Sequence, residues 1–134
     1  MTMTQSIPEM PISWEGSKPE WITFAVLQQL GKVLDTDFTY QSPLMGGRLD
    51  KGGAVVDFLF RNPPDLAINV QGNYYHYGMG VETKTRDILA RVQLATQGII
   101  LIFIDEDHLE DNPTYYIREA LRYRDHSRLG GMGL

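Results

Sequence analysis

The sequence predicts an α/β fold, a mixed central β-sheet flanked by helices, and three observations carry that prediction. Apolar residues at helical spacing, Ile22, Val26, Leu30 and Val33 and again Ile88, Val92 and Ala95, mark two amphipathic helices. Two β-branched or apolar runs, 54–60 and 66–71, are joined by the turn Asn62-Pro63-Pro64-Asp65, which predicts a hairpin. The run Ile99-Ile100-Leu101-Ile102-Phe103-Ile104 is apolar on both faces, as a central strand covered by helices on two sides requires. The resulting order is helix, strand, strand, strand, helix, strand, helix.

Each element has its own signal. Residues 1–16 show no period and read as an arm before a single domain over 17–128. Ser17-Lys18-Pro19-Glu20 is a capping box with proline in the first turn, so a helix is predicted over 18–33. Phe38-Thr39-Tyr40-Gln41 is a short strand, and the glycine pairs Gly46-Gly47 and Gly52-Gly53 bracket a loop. The second helix runs from about 83 to 97 and stops at Gly98, placed at its C′ position. Asn112-Pro113 opens a last helix carrying Ile117, Ala120 and Leu121, and residues 129–134 read as a flexible glycine-rich tail.

Composition narrows the function classes. With 134 residues, 43% hydrophobic and 22% charged, the chain is expected to be one globular domain with a sizeable core. No apolar run approaches the roughly 20 residues of a membrane span, and the N-terminus lacks a signal pattern, so no membrane partner is expected. The absence of cysteine rules out disulfides and thiolate metal sites and fits a cytoplasmic location. A net charge of −5 repels nucleic acid at long range, yet the cations are unevenly placed. Arg86, Arg91, Arg118, Arg122, Arg124 and Arg128 all lie in the second half of the chain, forming either a basic face or solvated helix surfaces.

The residues that invite chemistry sit at the hairpin. Asp57 interrupts an apolar strand, where a carboxylate is costly unless it is paired, binds a cation or faces solvent. Asn69 and Gln71 share one strand face by period two, and a hairpin register pairing Asp57 with Asn69 converges a carboxylate and two amides. Oxygen donors of this kind suit a hard divalent cation such as Mg²⁺. His76, just past the strand, is a candidate base near neutral pH, or part of a surface aromatic cluster with its tyrosine neighbours.

Taken in order, Glu20, Gly46-Gly47-Arg48, Val55-Val56-Asp57-Phe58, Val70-Gln71-Gly72, Tyr75-His76, Arg86-Asp87 and Gly98 through Ile104 resemble the PD-(D/E)xK nuclease superfamily. Within it the series is similar to the very-short-patch-repair and restriction-endonuclease-like branch, over about residues 17 to 122. The resemblance implies a restriction-endonuclease-like sheet, a Mg²⁺ or Mn²⁺ cofactor and a DNA substrate. It matches Asp57 to the metal-binding aspartate, Glu20 to the helix-one glutamate that completes the metal site and His76 to the general base. A backbone carbonyl near Val70 would be a metal ligand. Asn69 and Gln71 stand where Glu and Lys are usual, which removes one negative charge and the lysine's cation from the site.

The resemblance also implies a nucleic-acid surface of Lys84, Arg86, Arg91, Arg48 and Tyr75. The leading expectation is thus a metal-dependent DNA endonuclease or junction and repair nuclease of viral, phage or mobile-element origin, acting in a host cytoplasm or virion. The alternative is a degenerate nuclease-fold module that binds nucleic acid or a protein assembly without cleavage. A homodimer or a larger viral or protein assembly remains open as its partner, as does a plain α/β interaction protein.

Overall fold

The computed structural model describes residues 6–40, 49–51, 54–72 and 81–130. Helix α1 (Lys18–Gln29) begins as its capping box requires: the Glu20 N–H donates to Ser17 Oγ at 3.3 Å, and Ser17 Oγ donates to Glu20 Oε2 at 2.9 Å. It ends four residues short of the expected Val33. Gly31 takes φ 87°, a left-handed conformation natural to glycine, and Val33 is left 53% exposed. The arm is packed rather than loose from Ser6 onward. Trp14 stacks on Tyr40 with ring centres 4.9 Å apart, and the Trp21 and Gln29 side chains donate to the carbonyls of Pro8 and Ser6.

Among the described residues four strands form the main sheet. Strand β1 (Phe38–Tyr40) lies at one edge, antiparallel to a short strand at Phe58–Phe60, which is antiparallel to Leu66–Gln71, which is parallel to Ile100–Asp105. A separate two-stranded hairpin joins β2 (Leu49–Lys51) to β3 (Ala54–Val56), so the expected glycine loop contains a strand. With β4 at Phe58–Phe60, β5 at Leu66–Gln71 and β6 at Ile100–Asp105, the expected continuous strand over 54–60 is two strands divided at Asp57. Val56 pairs with Leu49 in the hairpin, whereas Phe58 pairs with Tyr40 and Ile68 in the sheet. The chain changes sheets across one residue.

The position of β6 corrects the expectation of a central strand. It is parallel to β5 as predicted, but among the described residues it is the terminal strand of the sheet. Its two apolar faces are both covered: α2 (Val81–Ala95) packs on one, and α3 (Glu106–Asp111) with α4 (Pro113–Leu121) packs on the other. The edge itself is closed by the chain's own C-terminal segment. The Phe103 N–H donates to Asp125 Oδ2 at 2.9 Å and the Arg128 N–H to Asp105 Oδ2 at 3.0 Å, so carboxylates take the place of a further strand. The presumed tail starts inside this closure, since Leu129 is buried in the core beneath α2.

The sheet separates two cores. Val26, Leu27, Phe38, Phe58, Ile68, Ile104 and Ile117 fill the larger one, between α1, α4 and the sheet. Val56, Ala67, Leu94, Leu101 and Phe103 fill the smaller one under α2. Helix α2 ends as expected at Gly98, whose φ of 77° lets the Ile99 N–H return to the Leu94 carbonyl at 3.0 Å. Helix α3 was not anticipated; Glu106 and Asp107 in its first turn suit the positive end of the helix dipole. Among the described residues no helix is long and apolar enough to cross a membrane.

Candidate active site

The carboxyl ends of β1, β5 and β6 lie together at the end of the sheet where Asp57 sits, because Tyr40 and Ile68 both pair with Phe58 and Gln71 pairs with Asp105. Asp57 is 3% exposed, Asn69 3% and Gln71 4%, so three polar side chains are withdrawn from water in one small region. The predicted pairing of Asp57 with Asn69 holds in detail. The Asp57 N–H donates to Asn69 Oδ1 at 2.7 Å, and the Val70 N–H donates to Asp57 Oδ2 at 2.9 Å. Asp57 thereby continues the ladder that β4 begins, with its side chain in place of a backbone carbonyl. In a strand the N–H and C=O of one residue leave on the same edge, so the Val70 carbonyl shares the edge that faces Asp57.

Asn69 is used differently from the expected ligand role. Its oxygen is occupied by the Asp57 N–H, which makes it a clamp that sets the position of Asp57. Gln71 lies one period along the same face, under α2. Its Nε2 donates to Asp87 Oδ2 at 3.3 Å, while its Oε1 is buried with no hydrogen-bond partner among the described residues. In the sequence Asp87 stands out only beside Arg86, in the Arg86-Asp87 pair of the resemblance. Its Asn69-x-Gln71 neighbour on the facing strand was the available signal, but the pairing of helix with strand was not in the sequence.

Glu20 lies on the α1 side of the sheet. Its Oε1 accepts from the Tyr40 hydroxyl at 2.6 Å and its Oε2 from Ser17. Burial, then the hydrogen bond to Glu20 and the charges of Glu20, Asp57 and Glu15, hold the Tyr40 phenol far above the ordinary tyrosine range. Glu20 and Asp57 thus bear on a common group, Tyr40. Gly16 is needed beside them, because a Cβ there would collide with the Tyr40 hydroxyl.

The expected nucleic-acid residues divide. Arg86 is exposed. Arg91 is not available to phosphate: it is 8% exposed, donates to the Leu129 carbonyl at 2.8 Å and lies 5.9 Å from the centre of the Phe103 ring. Its position three residues before the buried Leu94 puts it on the inward face of α2, which corrects its assignment. Arg48, Tyr75 and His76 lie outside the described residues, as does the side chain of Lys84.

A second cluster escaped the sequence reading. Asp105, Asp107 and His108 bring ligand atoms within 4.8 Å of one another. Arg128 forks across the two carboxylates, 2.9 Å from Asp105 Oδ2 and 2.7 Å from Asp107 Oδ2, and its hydrogen bonds hold the Asp107 carboxyl down to about 2. His108 stacks on Tyr116 with ring centres 4.3 Å apart. A guanidinium already supplies the positive charge here, so the cluster reads as an ion-pair network tying the C-terminal segment to β6. A shallow groove of ≈ 150 Å³ lined by Asp35, Thr36, Thr39 and Arg61 opens at the other end of the sheet, away from Asp57.

Among the described residues the ligand atoms beside Asp57 are oxygens, which suit a hard cation such as Mg²⁺ or Mn²⁺. Compared with family models, curated proteins and solved structures, the chain matches none.

Proposed function

We propose that the protein is a divalent-cation-dependent DNA nuclease on a restriction-endonuclease-like sheet, with Asp57 as the principal cation ligand. The observation that carries this reading is the placement of Asp57. A carboxylate 3% exposed stands where one strand is divided between two sheets, fixed by the Val70 N–H and by Asn69. Burying such a charge is costly, and a fold that needed only a strand residue there would be more stable with an apolar one. Asp57 and the Val70 carbonyl would hold the cation. Mg²⁺ or Mn²⁺, when bound, supplies positive charge to the scissile phosphate and lowers the pKa of a bound water.

The chain's own residues prepare that site. Asn69 orients Asp57, and the buried surroundings of Gln71 exclude bulk water, which strengthens every electrostatic contact with a phosphate. Glu20 stays attached to Tyr40 and Ser17 and acts on the site through its charge rather than as a ligand. His76 is retained as the proposed base, and Arg86 as a phosphate contact.

One observation favours a second reading, a binding module without cleavage: Asn69 is spent on the Asp57 backbone, and no lysine stands at Gln71. Incubation of labelled duplex and branched DNA with Mg²⁺ or Mn²⁺ separates the two. Cleavage by the wild type that Asp57→Asn abolishes supports the enzyme. If the wild type and the Asn69→Glu/Gln71→Lys double variant both leave DNA intact with either metal, the nuclease reading is rejected. DNA retention in a gel-shift experiment would then support the module.

A further inference from the structure

The groove at the end of the sheet away from Asp57 carries two opposite charges that do not neutralise each other. Thr39 and Leu59 pair across β1 and β4, on the side of the sheet away from the larger core, which takes their neighbours Phe38 and Phe60. Asp35, Thr36 and Arg61 complete the lining. Asp35 and Arg61 are exposed, and among the described residues neither side chain has a hydrogen-bond or ion-pair partner. The backbone that presents them is fixed. Asp35 is held at φ 66°, a left-handed conformation that aspartate tolerates better than most residues with a side chain. Its N–H donates to the Phe38 carbonyl at 2.7 Å, and the Asp37 carboxylate takes the Val33 N–H at 2.7 Å and the Asn62 amide at 3.3 Å. The Arg61 N–H donates to the Asp37 carbonyl, also at 2.7 Å. Little ordering of the backbone is left for a ligand to bring about.

We propose that this groove binds the zwitterion of a small α-amino acid, with its carboxylate against Arg61 and its ammonium against Asp35. The charges select that class. An anion gains Arg61 but meets Asp35, a simple cation gains Asp35 but meets Arg61, and a neutral molecule leaves both unmatched. A zwitterion matches both, and the planar guanidinium takes a carboxylate through two parallel hydrogen bonds. Thr39 Oγ1 directs its proton to the Leu59 carbonyl at 3.5 Å and keeps lone pairs that accept from an ammonium. Size sets the limit. A cavity of about 150 Å³ accommodates benzene, so a groove of ≈ 150 Å³ suits an amino acid of about six to eight heavy atoms, such as alanine or threonine. This site is independent of the cation reading of Asp57.

The test is a titration of the full chain with L-alanine and L-threonine, read from the backbone amide NMR signals of Thr36, Thr39 and Arg61. Thermal unfolding is recorded for each variant. Saturable shifts at these three residues, complete below about 10 mM of either amino acid, are expected. Propionate and ethylammonium, which each keep one charge of alanine, bind at least about tenfold more weakly. Asp35→Asn removes the charge while tolerating the same left-handed backbone, and Arg61→Gln removes the other; each weakens binding at least about tenfold. Arg61→Lys recovers part of the loss, and Arg118→Gln, an exposed charge on α4, changes nothing. Propionate binding as tightly as alanine would show a plain anion site and overturn the proposal. So would unchanged affinity in Asp35→Asn, or no saturable shift at these residues up to about 50 mM.

Discussion

Replacing Asp125 with alanine opens the terminal edge of the sheet, and the size of the effect follows from three hydrogen bonds. Asp125 Oδ2 accepts from the Phe103 N–H at 2.9 Å; Oδ1 accepts from the Ser127 N–H at 2.8 Å and from Ser127 Oγ at 2.5 Å. Phe103 is 1% exposed, so its N–H has little access to water once the carboxylate is gone, a loss of about 1–3 kcal/mol. The two bonds to Ser127 are local and add about 0.5–1 kcal/mol. A total near 2–4 kcal/mol is a large share of the 5–15 kcal/mol typical of a domain. In urea the midpoint should fall by about 1–2 M with the slope unchanged. Asp125→Asn, which keeps one oxygen acceptor, should recover roughly half, and Ser127→Ala should cost no more than about 1 kcal/mol. A cost for Asp125→Ala below about 0.5 kcal/mol would refute the idea that this carboxylate closes the β6 edge.

Other outcomes follow from the same geometry. In a DNA-binding titration Arg86→Ala should lower the slope of log affinity against log salt by about one while leaving stability intact, whereas Arg91→Ala should destabilise the fold with little direct effect on that slope. The depressed Asp107 carboxyl contributes stability that is full above its ordinary value of 3.8 and lost as pH falls toward about 2, so the gap between wild type and Asp107→Asn in acid unfolding should close over that window. Tyr40→Phe removes a 2.6 Å hydrogen bond to Glu20 and should cost about 1–2 kcal/mol in urea. Because the Tyr40 phenol is raised, its contribution is full below pH 10.0 and is lost as pH rises above it, so the same variant should flatten alkaline unfolding.

Much of this was legible in local pattern. The capping box at Ser17, the stop at Gly98, the Asn112-Pro113 start and the register of Asp57 against Asn69 all rest on interactions a few residues apart or across one short turn. What the pattern could not convey is lateral position. The run 99–104 is apolar on both faces because helices cover both, and that condition is met at an edge as well as at the centre. The edge is closed by Asp125, more than 20 residues later, and nothing near β6 announces it. Likewise, the division at Asp57 depends on which strand each neighbour joins, and both Val56 and Phe58 look the same in a strand of either sheet. In the candidate site, Asp57, Asn69 and Gln71 were visible as anomalies of strand pattern. Arg91 was misread because its charge outweighed its place on the inward face of α2, and the contact of Asp87 with Gln71 was not legible because it is made across elements.

The most direct measurement is the position of Mn²⁺ in crystals soaked with the ion, located by its anomalous scattering. A peak against the Asp57 carboxylate, within about 2.0–2.6 Å of its oxygens and of the Val70 carbonyl, is the predicted result. A peak confined to Asp105, Asp107 and His108, or none beside Asp57 at an ion concentration that supports cleavage, would contradict the account.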